Sequence, residues 1–315
     1  MILAGDFGGT SIKLGLIQDG VVHASGKIDS PARKSCDDWL PLLKEEAGAL
    51  CGVAGVGMQD LEGIVWALPL VIDPGLRRAS WAFGKFDDTT DSGFASKVES
   101  LFGLPLLLEN DARAAAIGEW QAGAGKGLGD LVMITLGTGI GTAVILEGRP
   151  LRGRSGMAGN LGGLSITHLG SPVLGTVPPG CIEGRVATWA LPGKTRSMPG
   201  FSASSLATAA TIDYQAVFSH AAAGDTLARQ LRDEALDAWG ALTLNLIQSY
   251  NPQRVIIGGG IMASAEIILP AIRDFVNQHA VLAGGPVEIV ASTLGDGAAW
   301  FGCEWIWKNE LSKRP

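Results

Sequence analysis

Histidine and cysteine are scarce in this chain: four of each occur among 315 residues, and Cys36, Cys51, Cys181 and Cys303 form no C-x-x-C pair. That spacing excludes a disulfide framework and a cysteine-rich zinc knuckle, and it fits a reducing, cytoplasmic setting. Charged residues are few as well, 17% of the total, with a formal net charge of -7 and scattered basic residues. A general grip on nucleic-acid phosphates is therefore not expected, and neither is a nucleic-acid partner. No long apolar run is present. The longest, Leu131 to Leu146, is interrupted by Gly137, Gly139, Gly141 and three threonines, and Asp6 stands where a signal peptide would need its apolar core. A soluble protein without a membrane partner is predicted.

What the chain does have is a 47% hydrophobic fraction and 45 glycines. At roughly 100–200 residues per domain the length suggests two lobes, and the hydrophobic fraction excludes a core-poor disordered chain. An internal echo supports the division. Sliding Asp6–Gly20 onto Ile134–Gly148 matches Gly9 with Gly137, Thr10 with Thr138, Ile17 with Ile145, Asp19 with Glu147 and Gly20 with Gly148. Both copies read strand, Gly/Thr turn, strand, turn, so each is predicted to fold back as a hairpin. A dinucleotide or P-loop fingerprint instead opens directly into a helix, which neither copy does. Gly193-Lys194-Thr195 is the nearest approach to a P-loop, but Thr188 occupies the position of its first glycine and Pro192 precedes it.

Between the copies, Leu61 to Leu68 and Leu104 to Leu108 read as buried strands, and Ala112 to Ala122 as a helix capped by Asn110 or Asp111. Later, Leu227, Leu231, Ala235, Trp239, Leu242 and Leu246 recur at helical spacing on a segment ending at Asn251-Pro252. A strand at Val255–Ile257, a Gly258-Gly259-Gly260 turn and a helix from about Ala265 to Gln278 follow. The alternation predicts an α/β fold of two similar halves with a cleft between them.

Asp6-Phe7-Gly8-Gly9-Thr10-Ser11-Ile12-Lys13 combines a carboxylate, a tight turn, a hydroxyl and an ammonium. Glycines let backbone N–H groups approach phosphate oxygens, Thr10 adds a hydroxyl donor, and Asp6 can hold hydrated Mg²⁺. The plain alternative is an ordinary hairpin turn, which the second copy at Gly137-Thr138-Gly139 makes less attractive. Glu109-Asn110-Asp111 puts a carboxylate at a strand end, where it could accept a proton from an attacking hydroxyl during phosphoryl transfer; helix capping is the competing explanation.

Taken in order, Asp6–Lys13, Glu109–Asp111, Leu136–Gly141, Gly180-Cys181-Ile182-Glu183, Gly258–Gly260 and Leu294-Gly295-Asp296-Gly297-Ala298 resemble the ROK family of sugar kinases and related repressors, within the actin, hexokinase and Hsp70 fold superfamily. The resemblance implies two actin-like (ribonuclease H-like) lobes, residues 1–112 completed by a C-terminal helix at 298–315, and residues 113–297. It implies Asp111 as catalytic base and Mg²⁺-ATP held by Asp6, Gly8, Gly9, Thr10 and Lys13, by Gly137, Thr138 and Gly139, and by Gly258, Gly259 and Gly260 on the nucleotide side. Asn110, Asn160, Glu183 and Trp81 would surround the sugar, although Trp81 could equally be a core aromatic. The repressors' extra N-terminal DNA-binding module has no room before a phosphate loop that begins at residue 6.

The departures are specific. Asn160-Leu161-Gly162-Gly163 replaces the family's usual Glu-x-Gly-His, and Leu174 and Thr176 stand near the positions of its cysteines. Only Cys181 survives there, with His168 nearby, so no zinc site is predicted. The implied function is ATP-dependent phosphorylation of a hexose or hexose derivative. Inorganic polyphosphate is an alternative donor, and a catalytically weak sugar-binding or regulatory protein is the alternative from another class. The tryptophan-rich tail, Trp300, Trp305 and Trp307, suits either a homodimer interface or a terminal helix packed on the first lobe.

Overall fold

The computed structural model describes residues 1–310 apart from 74, 76, 83, 161, 163, 164, 167–176 and 283. Strands β1 (Ile2–Phe7), β2 (Ser11–Gln18) and β3 (Val21–Asp29), helix α1 (Cys36–Ala54) and strand β4 (Gly63–Leu68) open the first half. A hairpin of β5 (Val71–Asp73) and β6 (Arg78–Trp81), helix α2 (Phe94–Phe102) and strand β7 (Leu106–Asn110) complete it. The main sheet has the order β3-β2-β1-β4-β7. Its first three strands form an antiparallel meander, and β4 and β7 run parallel to β1. Both faces of β4 are buried, which is why its sequence is continuously apolar rather than alternating.

Helix α3 (Asp111–Ala122) leads into the second half: β8 (Leu131–Leu136), β9 (Ile140–Leu146), β10 (Arg149–Pro150), and helices α4 (Ile182–Val186), α5 (Leu191–Ser197), α6 (Tyr214–Ala222) and α7 (Thr226–Tyr250). Strand β11 (Arg254–Gly258), helix α8 (Ala265–His279), strand β12 (Glu288–Ala291) and helix α9 (Ala298–Glu310) follow. The second sheet, β10-β9-β8-β11-β12, repeats the order and directions of the first. The predicted two similar α/β halves are thus present.

The echo extends to backbone angles. Asp19 and Gly20 have φ of 50° and 76°, and Glu147 and Gly148 have 50° and 66°. Two consecutive positive φ values are what a two-residue type I′ hairpin demands, and its twist matches that of the flanking strands. The segment carrying Gly193-Lys194-Thr195 is helix α5, with the Thr195 hydroxyl donating to the Leu191 carbonyl at 2.7 Å, so it cradles no phosphate.

Each half has its own core. In the first, Phe7, Trp39, Trp66, Phe86 and Phe94 form a continuous ring cluster. In the second, Tyr214 and Trp239 lie amid the apolar faces of α6–α8 and the sheet. Helices α3 and α9 cross with their backbones touching: a Cβ on Gly118 would collide with the Ala298 carbonyl, and one on Gly302 with the Ala114 carbonyl. The tail tryptophans pack within the chain. Trp300 covers Gly15, Trp307 covers Gly63 and donates to Glu62 at 3.2 Å, and Trp305 meets Trp120 with ring centroids 5.6 Å apart. Among the described residues no helix is long and apolar enough to cross a membrane.

Candidate active site

The two Gly/Thr turns face each other. A Cβ built on Gly9 would lie 3.6 Å from the methyl carbon of Thr138. In the first turn the Gly8 amide donates to the Ser11 carbonyl at 2.9 Å and the Thr10 carbonyl accepts from the Ser30 amide at 3.0 Å. In the second, Gly137 donates to Gly139 at 3.0 Å, while Thr188 and Trp189 tie back the carbonyls of Gly137 and Thr138. Gly8 and Gly137 therefore use their amides to close the turns. The amides of Gly9, Thr10, Thr138 and Gly139 make no hydrogen bond with any described residue and are available for an anion.

The third glycine set joins them. A Cβ on Gly137 would come 3.9 Å from the Gly260 amide nitrogen, and Gly259, at φ 94°, is pressed against the Leu136 backbone. Gly258 lies against Met133 and Ser292. Because no other described atom lies within 4 Å of that Cβ, a valine at 137 is expected to be accommodated while covering the free amides beside it. Gly137→Val is expected to weaken binding of ATP about tenfold or more with an unchanged melting temperature, measured by calorimetry and thermal denaturation. Wild-type ATP affinity in the folded variant would place the phosphates elsewhere.

Carboxylates line the gap between the turns. Asp6 is the next-to-last residue of β1, and its side chain is 23% exposed with the Lys13 ammonium 4.0 Å away; Lys13 also pairs at 2.7 Å with Asp296, which is 84% exposed. Burial and the neighbouring Asp111 push Asp6 up to about 7, Lys13 opposes the rise, and Asp296 adds to it. Asp111 is the first residue of α3. Burial raises it to about 6 against the opposing Ala112 amide and Lys85, and Glu183 contributes to the rise. One of its oxygens, Oδ1, accepts from the Ala112 amide at 2.7 Å and from Asn110 Nδ2 at 3.1 Å, whereas Oδ2 has no partner among the described residues.

The helix cap belongs to Asn110 and not to Asp111. Asn110 Oδ1 accepts from the Arg113 amide at 3.0 Å, and its amide nitrogen donates to Leu70 at 3.2 Å. Asn110 is also buried, 3% exposed. Its amide thus caps the helix and bonds Leu70 and Asp111, which leaves one lone pair of Oδ1 for the sugar contact expected of it.

Glu183 lies at the start of α4. It accepts from the Ile140 amide at 2.8 Å and from the Trp189 indole at 3.2 Å, bracing the second turn from behind. Cys181 is the cap of that helix, its sulfur accepting from the Gly184 amide at 3.4 Å. Asn160 lies in a segment held by buried Thr142, whose hydroxyl donates to the Gly159 carbonyl at 2.6 Å and accepts from the Gly162 amide at 3.1 Å. Trp81 is 60% exposed on β6, which removes the core alternative for it. Gly163, His168, Leu174 and Thr176 lie outside the described residues, within which no group of three or more His, Cys, Asp or Glu is arranged to hold a metal.

Sequence reasoning missed three residues here. Lys85 has its ammonium over Gly9. Asp296 completes the charge cluster at the head of α9, its motif having been noted without a role. Arg113 bonds Glu109 at 2.7 Å and the carbonyls of Leu151, Gly156 and Ala158, thereby fastening the loop that carries Asn160. A lysine or arginine outside a motif carries no sequence signal of such a position.

A sequence profile of the ROK family matches residues 2–310. The glucokinase of Thermotoga maritima is 30% identical over 97% of this chain and 96% of its own. The N-acetylmannosamine kinase of Citrobacter koseri is 36% identical over 88% and 89%. Among solved structures, a ROK family glucokinase from Streptomyces griseus in complex with glucose and AMPPNP superposes with a TM-score of 0.76 at 25% identity, covering 96% of this chain and 97% of that one. With two repeated lobes, three glycine turns meeting between them and a profile match over nearly its whole length, the chain belongs to the ROK family.

Proposed function

We propose that this chain, a sugar kinase of the ROK family, transfers the terminal phosphoryl group of ATP to a hydroxyl of a hexose or N-acetylhexosamine, with Asp111 as general base. The observation that carries the reading is the meeting of the Gly9 and Thr138 turns beside Asp6 and Asp111. Unpaired amides from both lobes suit a polyphosphate, and a carboxylate with one free oxygen beside them suits proton removal from an acceptor.

The Asp111 carboxylate adds to the need of Asp6 for a cation, and Lys13 is shared with Asp296, so the cluster fits Mg²⁺. One or two carboxylates together with substrate phosphates are the usual Mg²⁺ environment. Asp6 would hold the ion, which when bound neutralises phosphate charge.

In the reaction a lone pair of the acceptor oxygen forms the new bond to the terminal phosphorus. The hydroxyl proton passes to Asp111 Oδ2, and the bond from that phosphorus to the bridging oxygen breaks, its electron pair leaving on ADP. The amides of Gly9, Thr10, Thr138 and Gly139 hold the phosphates in line. Asn160, Glu183 and the exposed face of Trp81 bind the acceptor. Glu183 already accepts two protein donors, but a carboxylate has about four lone-pair sites and can take sugar hydroxyls as well. The amide of Asn160 can both donate and accept, which suits a substituted acceptor better than plain glucose.

The test is ADP release across a panel of hexoses and N-acetylhexosamines, with and without Mg²⁺ and with polyphosphate as a second donor. Sugar-dependent, Mg²⁺-dependent ADP release is expected. ADP release no greater than without sugar, for every acceptor, would overturn the assignment.

A further inference from the structure

We propose that Lys85 is a catalytic residue whose ammonium contacts the terminal phosphoryl group of the donor. The inference rests on the kinase reading above and adds a residue to it. Lys85 Nζ lies 3.0 Å from the position of a Cβ on Gly9, and its Cε lies 3.5 Å from the same point, with the Thr138 methyl group 3.6 Å away. The ammonium thus occupies the slot where the turns of the two lobes converge. It makes no hydrogen bond or ion pair with any described residue, although its side chain is partly buried.

The chain holds it there by its neighbour. Phe86 is 1% exposed at a positive φ of 51°, and its amide donates to the Ala32 carbonyl at 2.6 Å. Its ring lies 5.4 Å from Phe7 and 5.8 Å from Trp39. Phe7 immediately precedes Gly8-Gly9, so the same aromatic cluster sets the height of the turn and of the lysine above it. A left-handed backbone on a bulky residue is costly, and here the buried ring contacts hold it in place.

Charge selects the ligand. Asp6, Asp111, Glu183 and Asp296 gather around the slot, and Lys13 is engaged with Asp6 and Asp296. An ammonium left unpaired beside unpaired amides is matched by an anion arriving with the substrate. Of the donor's phosphates, the terminal one must lie between the turns and Asp111, and Lys85 acts electrostatically on Asp111 itself. A positive charge at that point stabilises the equatorial oxygens of the phosphoryl group as it passes from the bridging oxygen to the acceptor. No proton moves to or from Lys85 in the step.

The experiment compares Lys85→Met and Lys85→Arg with the wild type by calorimetric binding of Mg²⁺-AMPPNP and Mg²⁺-ADP, and by kcat. The wild type is expected to prefer AMPPNP, Lys85→Met to lose that preference with kcat down roughly 10²-fold, and Lys85→Arg to keep the preference and much of kcat. Lys85→Gln serves as the neutral variant if the Met form does not fold. An unchanged AMPPNP-to-ADP affinity ratio in a folded neutral variant overturns the proposal, whether accompanied by weaker sugar binding, which would make Lys85 an acceptor contact, or by a shifted pH profile alone, which would make it a modulator of Asp111. If the wild type releases no ADP with any sugar while the ratio still depends on Lys85, the kinase reading fails and the phosphate contact stands.

Discussion

Asp111→Asn should fold like the wild type and bind ATP normally, yet turn over roughly 10²- to 10⁴-fold more slowly. The helix start survives because Asn110 provides the cap, and an asparagine at 111 retains an oxygen for the Ala112 amide. What is lost is the free oxygen that takes the acceptor proton. With its carboxyl raised to about 6, Asp111 gives the wild type an acid limb in kcat/KM near pH 6, with activity climbing as the group ionises. The stability effect has the opposite sign. The folded protein binds this proton more tightly than the unfolded chain, whose carboxyl titrates at 3.8. The contribution is therefore fully present below about pH 4 and is lost as pH rises through about 6. Asp111→Asn should consequently gain stability relative to the wild type at pH 8 but not at pH 4. Steady-state kinetics and urea denaturation across that range check both statements, and a folded variant with near wild-type turnover would exclude Asp111 as base.

Arg113→Met should cost about 3–5 kcal/mol, the largest stability loss expected from a single substitution near the site. Glu109 and Arg113 are each 1% exposed, and burial of Glu109 is outweighed by Arg113 and Arg152, which hold its carboxyl below the usual range. Arg152 bridges Glu109 at 2.6 Å and Glu310 at 2.8 Å, joining strand β7 to the end of α9. Removing one guanidinium leaves a poorly compensated charge and frees the carbonyls of Leu151, Gly156 and Ala158. Because that loop carries Asn160, the acceptor KM should rise more than the KM for ATP. Urea denaturation and paired KM measurements test this, and Glu109→Gln added to Arg113→Met should recover part of the loss by removing the stranded charge. A loss below about 1 kcal/mol would mean that the network is not what secures the loop.

Legibility followed the range of the interaction. The repeated Gly/Thr hairpins were readable because they depend on a few adjacent residues: Asp19-Gly20 and Glu147-Gly148 encode the same left-handed pair wherever the strands lie. The end of α7 was equally local, with Asn251 at φ 44° closing the helix and Pro252 unable to continue it. Asn110 and Asp111 show where local reading stops. Both residue types cap helices, and only the strand register that buries Asn110 against Leu70 decides which one does so and which keeps a free oxygen.

By itself the sequence determined the two similar α/β halves, the three glycine turns and the likeness to the ROK family, since these rest on backbone freedom, periodicity and ordered motifs. Tertiary structure alone decided that Gly9 and Thr138 face each other, that Lys85 stands over the first turn, that Glu183 braces the second, and that Arg113 clasps a loop some 43 positions away. The physical reason is that turns and strands are specified by neighbouring torsions and burial patterns. A charged side chain's partner is instead specified by where distant backbone passes, and that is settled only once both cores have packed.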